Sequence, residues 1–253
     1  MATVDDSALI WTRPEPGTRR PKFTRDQIAS TALAIADTEG FAAVSMRRIA
    51  GELGAGTMTL YYYVRTKDEL VMLMDDAIMS EVLIPADELP AHWYDALTAI
   101  AERTWQVLMR HPWALHSLQR APAGPNAMRH FEQSLAALAG TELDATAKFA
   151  LLATVDDYVH GNVLRAAEFG APAEDEARLD AVVQFGQTQL ATGEFPHTRA
   201  LFSGENAQNA FARIVRDASP LDRFRHGLSM LLDGVAHGMN LSFPDRRRGR
   251  RAQ

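Results

Sequence analysis

The feature that most restricts the fold of this chain is a glycine turn that separates two short helix patterns within residues 45–70. Ser45 can cap a helix that runs to about Leu53, because its side-chain oxygen can accept a hydrogen bond from a free backbone N–H in the first turn. Leu53-Gly54-Ala55-Gly56 then permits a sharp turn, since glycine adopts the left-handed conformation after a helix end without strain. A further helix is predicted from about Thr57 to Tyr63. Two short helices joined in this way form a helix-turn-helix unit.

More helices are expected on both sides of this unit. Thr24 and Thr66 are each followed three residues later by Gln or Glu, which is the pattern of a capping box, and they predict helices over 25–39 and 67–83. Beyond residue 84 the apolar residues keep a helical spacing and no segment alternates as a strand does. Further helices are predicted over 90–110, 112–119, 125–139, 144–169, 174–192 and 220–239. The fold is therefore predicted to be all-α, with an N-terminal three-helix helix-turn-helix domain and a larger helical domain.

Several classes of protein are excluded by what the sequence lacks. The chain has no cysteine, which excludes disulfide scaffolds, thiolate metal sites and cysteine nucleophiles. The first residues are acidic rather than basic and apolar, and no run of 18 apolar residues occurs, so we expect a cytoplasmic protein without a membrane partner. No fingerprint of a hydrolase, a nucleotide-binding loop or a metalloprotease is present. We therefore expect no catalytic residues, no metal and no cofactor.

The charge of the chain is divided unevenly along its length. The net charge is −6, yet residues 13–67 carry nine Lys and Arg against five Asp and Glu, whereas residues 68–244 carry twelve against twenty-four. A basic N-terminal part joined to an acidic remainder of the chain predicts that the N-terminal part binds a polyanion. Residues 1–21 are rich in Pro and Arg without helical spacing, so we expect a flexible basic arm that can enter a DNA minor groove. Residues 245–253 are expected to form a basic disordered tail.

The third predicted helix has an unusual outer face. Leu60 and Val64 are four residues apart and must face inward, so Met58 and Tyr62 point away from the core. A short helix that exposes a ring, a methionine and threonine hydroxyls is expected to dock onto a partner. Thr and Tyr hydroxyls can bond phosphates or base edges, and a thymine methyl can contact Met or Thr. This face therefore predicts contact with double-stranded DNA.

Two arginines strengthen this prediction. Arg47 and Arg48 lie in the first turn of the second helix, where their charge opposes the helix dipole and an arriving phosphate would offset it. With these arginines, the Leu-Gly turn and the Thr-Leu-Tyr-Tyr-Tyr segment, residues 22–83 resemble the DNA-binding domain of the TetR family of bacterial transcriptional regulators. The resemblance implies DNA contacts by Met46, Arg47, Arg48, Thr57, Met58, Thr59, Tyr61, Tyr62, Tyr63 and Lys67. Within this set we expect Tyr63 to be partly buried, because it follows Leu60 by three residues.

The same resemblance implies a homodimer with a tetracycline-repressor-like C-terminal domain. It divides the chain into a DNA-binding domain over 22–66 and an effector-binding and dimerisation domain over 67–244. In this family two helices from each subunit form a four-helix interface, and two helices of the chain carry apolar stripes. The predicted interface residues are Leu152, Val155, Val159, Val163, Phe224, Leu228, Leu231, Val235 and Met239. Gly227, Gly234 and Gly238 lie beside the second stripe and would permit close helix approach.

A candidate effector pocket combines large apolar side chains with a few polar ones, as small-molecule sites do. Its predicted lining is Trp105, Met109, Trp113, His116, Arg120, Phe131, Asp156 and His160. The Trp and Met residues have an alternative interpretation as ordinary core. Asp156 with His160, and Asp233 with His237, have the i, i+4 spacing of a metal site or a base dyad, but two ligands do not make a site, and we expect structural hydrogen bonds instead.

The sequence thus predicts a ligand-responsive regulator, most simply a repressor that a small-molecule effector releases from a palindromic operator. Two recognition helices must lie about 34–36 Å apart to reach successive major-groove faces, and an effector would tilt the fourth helix away from that spacing. Two alternatives stay open. An effector-independent architectural DNA-binding protein would have a filled core around Trp105, Trp113 and His116. A helical enzyme would need a cleft with a set of titratable groups.

Overall fold

The computed structural model describes residues 9–15, 23–116, 124–169, 176–201 and 219–244. In these ranges the regular structure is helical and no strand occurs, which confirms the all-α prediction. The N-terminal part contains α1 (Arg25–Glu39), α2 (Met46–Glu52), α3 (Thr57–Leu60) and α4 (Lys67–Val82). The body contains α5 (Trp93–Arg110), α6 (Pro125–Ala137), α7 (Ala145–Phe169), α8 (Glu176–Ala191), α9 (Pro196–Ala200) and α10 (Pro220–Gly238). Within the ranges given, every helix is too short or too polar to cross a membrane.

The predicted helix starts of the N-terminal part are confirmed by their capping bonds. Thr24 accepts from the Gln27 backbone N–H at 3.1 Å, and the Gln27 side chain accepts from the Thr24 N–H at 2.9 Å. Ser45 caps α2 by accepting from the backbone N–H of Arg48 at 3.2 Å. Gly54 has a φ of +60° in the turn after α2, a conformation that favours glycine. The helix-turn-helix unit therefore forms from local signals, as expected.

The third helix is shorter than predicted. It was expected to reach Tyr63, but α3 ends at Leu60 and residues 61–63 form a tighter turn. There the Tyr62 N–H donates to Thr59 O at 3.3 Å and the Tyr63 N–H donates to Leu60 O at 2.9 Å. Bonds to the third preceding residue wind the chain more tightly than an α-helix. The Val64 N–H donates to Leu60 O at 3.0 Å, and Tyr63 and Val64 are both buried.

The body is built around α5, which packs against α4, α7 and α10. Phe224 of α10 has no exposed surface and lies between two rings, with centroids 5.6 Å from Trp105 and 5.5 Å from Tyr158. The Tyr158 hydroxyl also donates to Phe224 O at 2.9 Å. Aromatic rings at these separations contribute packing and favourable ring contacts. This group joins α5, α7 and α10 into one core.

The predicted dimer interface is wrong for most of its residues, because they fill this core within one protomer. Leu152, Val155, Val159, Val163, Phe224 and Leu228 are buried in the single chain. Leu231, Val235 and Met239 are half-buried. An apolar stripe buries itself against any apolar neighbour, and here that neighbour is the chain's own α5.

The predicted flexible arm is also wrong for residues 9–15. Ile10–Thr12 forms a short 3-10 turn, and Ile10 has no exposed surface. The Arg25 guanidinium donates to three carbonyls of this segment, those of Ile10, Arg13 and Pro14. Apolar side chains and a matched donor therefore dock the segment onto the N-terminal helices. The rest of residues 1–21 and the tail 245–253 lie outside the described residues.

Candidate nucleic-acid interface

The helix-turn-helix unit exposes the face of α3 that the sequence predicted. Leu60 and Val64 have no exposed surface and anchor α3 to the core, while Met58 and Tyr62 are 73% and 77% exposed. Tyr61 is also exposed. Two large apolar side chains held this far out of the core are costly unless a partner covers them. The structure therefore presents a contact face of exposed rings and a methionine on the helix-turn-helix unit.

Tyr63 does not belong to this face. It is only 5% exposed, its hydroxyl accepts from the Phe23 N–H at 3.5 Å, and its carbonyl accepts from Arg25 Nε at 3.4 Å. The prediction that Tyr63 contacts DNA is therefore wrong. Its spacing from Leu60 already indicated burial, whereas the run of three tyrosines masked that signal.

A cleft of about 510 Å³ lies beside α3 and connects it to α2 and to the start of α4. It brings together five of the predicted contact residues and adds a basic one, Arg65, that sequence reasoning missed. The cleft is lined by Ala42, Val44, Ser45, Met46, Arg47, Thr57, Tyr61, Arg65, Lys67 and Leu70. Three cations and several hydroxyls on one concave wall suit the phosphates of a nucleic acid backbone. Arg65 could have been found from its place just before the Thr66 cap.

The two arginines of α2 have different surroundings. Arg47 is exposed beside the cleft and, within the described ranges, has no carboxylate partner. Arg48 donates to Glu39 of α1 at 2.6 Å and to Glu52 at 2.7 Å. These hydrogen bonds hold the pKa of Arg48 above its usual value, and they lower the pKa of Glu39. The expectation that Arg48 needs a phosphate to offset its charge is therefore wrong, because it is already paired with two carboxylates.

Lys67 is exposed at the first position of α4, where its Nζ lies 5.5 Å from the centroid of the Phe41 ring. A cation over a ring face is held weakly and keeps its hydrogen-bond donors available. Lys67 can thus reach a phosphate from a restrained position at the edge of the cleft.

Two of the predicted effector-pocket residues serve other purposes. Trp105 is buried in the core against Phe224. Trp113 stacks on Phe41 with centroids 5.2 Å apart, and its Nε1 donates to Asp37 Oδ1 at 2.9 Å. Trp113 therefore joins the body to α1 at the domain boundary. Trp and Met are found in hydrophobic cores as well as in ligand pockets. Their spacing in the sequence therefore could not distinguish a core from a pocket. Met109 is half-buried against the same core.

Other predicted pocket residues do gather at the junction of α6 and α7. Phe131 and Phe149 have ring centroids 5.4 Å apart. Asp156 keeps exposed surface although burial among protein atoms raises its pKa, with a smaller opposing effect of His160. Burial, and then the charge of His160, lower the pKa of the neighbouring His130 to about 4. These side chains therefore form a mixed apolar and polar cluster where α6 meets α7. The His116 side chain and Arg120 lie outside the described residues.

The two Asp and His pairs are not side-chain dyads. His160 Nδ1 contacts the backbone oxygen of Asp156 at 2.8 Å, and His237 Nδ1 contacts that of Asp233 at 2.9 Å. The Asp233 carboxylate instead accepts from the Tyr94 hydroxyl at 2.8 Å. Among the residues with described positions, no three His, Asp or Glu side chains form a group that could hold a metal ion. Each histidine therefore makes its hydrogen bond within its own helix rather than with the carboxylate of its pair.

Two family models match the chain. One, described as "Bacterial regulatory proteins, tetR family", matches residues 28–73, and the other, "Tetracyclin repressor-like, C-terminal domain", matches residues 85–239. The HTH-type transcriptional repressor DrrR1 of Streptomyces coeruleorubidus is 34% identical over 237 residues, covering 90% of this chain and 83% of that protein. An HTH-type transcriptional regulator of Saccharopolyspora erythraea is 38% identical over 170 residues, covering 66% of this chain and 71% of that protein.

A solved structure has the same architecture. ActR of Streptomyces coelicolor, in complex with actinorhodin, superposes with a TM-score of 0.70 at 26% sequence identity, covering 85% of this chain and 96% of that one. The same protein in complex with (S)-DNPA gives a TM-score of 0.68, with 87% of this chain and 99% of that one covered.

Proposed function

The chain belongs to the TetR family of bacterial transcriptional regulators, and from that membership we propose that it is a repressor whose α3 reads a palindromic operator. Proteins of this family bind DNA and small-molecule effectors and act as dimers. The matching families and relatives are transcriptional regulators, so the chain is a DNA-binding regulator and not an enzyme. Its place of action is then the bacterial nucleoid. We assign DNA binding to residues 22–66 and effector binding and dimerisation to residues 67–244.

The observation that carries the operator proposal is the projecting face of α3. Met58 and Tyr62 stand furthest out, so we assign them contacts in the major groove, where rings and methyl groups can meet base edges. Thr57, Thr59 and Tyr61 flank them and supply hydroxyls for phosphates or bases. The supporting contacts come from the cleft, and we assign them to Met46, Arg47, Arg65 and Lys67.

Arg47, which has no carboxylate partner among the described residues, and Arg48, which has two, provide a test of this assignment. Arg47→Ala is expected to weaken operator binding about tenfold and to lower the salt slope of log Kobs by about 2, since about 0.9 is lost for each phosphate contact in each of two half-sites. Arg48→Ala is expected to change that slope less, because Glu39 and Glu52 already hold its charge. Binding is measured by fluorescence anisotropy between 50 and about 200 mM salt, on a duplex that the wild-type protein selects from a randomised pool. Equal slopes for wild type and Arg47→Ala would remove Arg47 from the interface.

We place the dimer interface on the outward faces of α7 and α10, opposite the stripes that fill the core. Leu164 and Met230 are exposed there. A Cβ added to Gly161, Gly234 or Gly238 would meet nothing within 4 Å, so these glycines leave room for a partner helix. A Cβ on Gly227, by contrast, would collide with the Tyr158 hydroxyl of the same chain. A two-fold dimer with one reading helix in each half requires a palindromic operator.

We assign the effector to a recess that we place between α6 and α7, beside this cluster. Phe131 and Phe149 offer ring faces, and His130 stays neutral at physiological pH because of its lowered pKa. His160 and Asp156 supply further polar groups. ActR, at 26% identity, binds actinorhodin and (S)-DNPA, which supports a small organic ligand for this chain. Apolar rings with a few polar groups are typical of such sites.

Actinorhodin is the available probe of this assignment. We expect it to weaken binding to the selected duplex at least fivefold, which corresponds to a coupling free energy of about 1 kcal/mol. Phe149→Ala is expected to raise the actinorhodin concentration needed for half-release, because Phe149 forms one wall of the recess. Val182→Ala, on the exposed surface of α8, serves as the matched control. An unchanged duplex affinity at saturating actinorhodin would count against this ligand chemistry, and failure of other aromatic ligands as well would favour the effector-independent alternative.

A further inference from the structure

The docked N-terminal segment, residues 9–15, touches both domains of the protein. We call it the N-terminal brace and propose that it positions the recognition segment, residues 57–63, and connects it to α6. The proposal rests on the proposed operator binding by α3. It replaces the expected DNA-contacting arm with an internal support, because Ile10, Trp11 and Arg13 of this segment are packed against the protein. Three sets of contacts carry it.

The first set joins the brace to the end of the recognition segment through Arg25. Arg25 Nη1 donates to Ile10 O at 3.0 Å and to Arg13 O at 2.8 Å, while Nε of the same guanidinium donates to Tyr63 O at 3.4 Å. Arg25 is buried. Tyr63 directly follows the exposed Tyr62. The guanidinium is rigid and planar, so a displacement of the brace alters the position of the carbonyl that ends the recognition turn.

The second set joins the brace to the cleft. Arg13 forms a hydrogen-bonded ion pair with Glu69 at 2.8 Å, and the two side chains are only 16% and 14% exposed. The same Glu69 Oε2 accepts from the Arg65 N–H at 2.7 Å. An ion pair shielded from solvent and fixed by a further hydrogen bond restrains geometry better than a pair on an open surface. Arg13 therefore helps to position Arg65, which is one of the cations of the cleft. Arg13 itself is paired with Glu69.

The third set joins the brace to the effector domain. A Cβ added to Gly124 would lie 2.8 Å from Cζ2 of Trp11, so the indole lies directly against the backbone that opens α6. Asp76 of α4 borders the same point, where its Oδ1 accepts from the Asn126 N–H at 2.8 Å. α6 carries Phe131 of the proposed effector recess. The brace thus provides a route from α6 to the recognition segment that runs beside α4.

Trp11→Ala is the variant that tests this route. We expect it to weaken binding to the wild-type-selected duplex about tenfold, with an unchanged salt slope, because it removes no phosphate contact. We also expect faster amide hydrogen exchange confined to residues 61–65, measured by mass spectrometry on the free full-length protein. Trp11→Phe is the graded variant. It keeps an aromatic ring but shortens the reach of the side chain towards Gly124, so its affinity and exchange are expected to lie between those of wild type and Trp11→Ala.

Each other outcome overturns the proposal. Wild-type affinity and exchange in Trp11→Ala would show that the brace positions nothing, and a reduced salt slope would show that the segment contacts DNA as an arm. If Trp11→Ala destabilises the whole protein, Arg13→Ala tests the proposal in its place, since this variant leaves Ile10 and Trp11 packed. It must accelerate exchange over 65–69 and weaken binding, and Arg13→Lys must restore both in part. Failure of the wild-type protein to select any duplex would instead refute the operator proposal itself.

Discussion

Replacing Tyr62 by Ala is expected to weaken operator binding about 100-fold or more and to leave the fold unchanged. Tyr62 is the most exposed ring of the recognition segment, at 77%, so its removal creates no cavity. A good contact to DNA contributes about 1–3 kcal/mol. The dimer inserts two copies, and the loss of about 2.8 kcal/mol from both together corresponds to 100-fold. The loss of two contacts therefore has a large effect on affinity and a negligible one on stability.

The measurement pairs an anisotropy titration on the selected duplex with a thermal melt of the free protein. Phe185→Ala is the matched control, because Phe185 is a similarly exposed ring, at 66%, on α8 and far along the chain from the recognition segment. We expect wild-type affinity for Phe185→Ala and wild-type melting for both variants. Undiminished affinity of Tyr62→Ala would remove the exposed face of α3 from the operator interface.

Local chemistry determined the parts of the fold that could be predicted. Thr24, Ser45 and Gly54 act within their own turns, so a capping pattern or a glycine suffices to place a helix end. The exposed face of α3 was predictable for the same reason, since Leu60 and Val64 four residues apart decide which side is buried. Tyr63 was assigned a DNA contact from the family resemblance, although its spacing from Leu60 indicated burial, and residues 61–63 wind more tightly than the helix that was predicted there.

The remaining errors concern partners that are distant in sequence. In the sequence Arg48 resembles a phosphate ligand. In the fold Glu39 of another helix lies beside it and accepts its hydrogen bond. The Ile10-Trp11 pair lies in a polar leader, and only the folded chain shows the carbonyls that Arg25 binds there. The apolar stripe of α7 that contains Val155 could equally have packed against α5 or against a second subunit, because an apolar stripe does not specify which surface covers it. Periodicity predicts that a face is buried and leaves open what buries it.

The outward face of α7 and α10 leads to the second large effect. Met230→Glu is expected to convert the dimer into monomers, because Met230 is 63% exposed in the single chain and would face the partner subunit in the proposed interface. A carboxylate there would be buried without a counter-charge in each subunit, which costs several kcal/mol. Operator affinity is expected to fall about 100- to 10,000-fold, since one half-site no longer holds the other in place.

A crossed control separates dimerisation from DNA contact. Met58→Glu makes the same substitution at an equally prominent methionine of α3, which is 73% exposed. It is expected to abolish operator binding, because a carboxylate would meet phosphates, and to leave the dimer intact. Light scattering after size-exclusion chromatography gives the mass, and anisotropy gives the affinity. A dimeric Met230→Glu would show that the interface lies elsewhere, and a monomeric Met58→Glu would show that α3 itself is part of it.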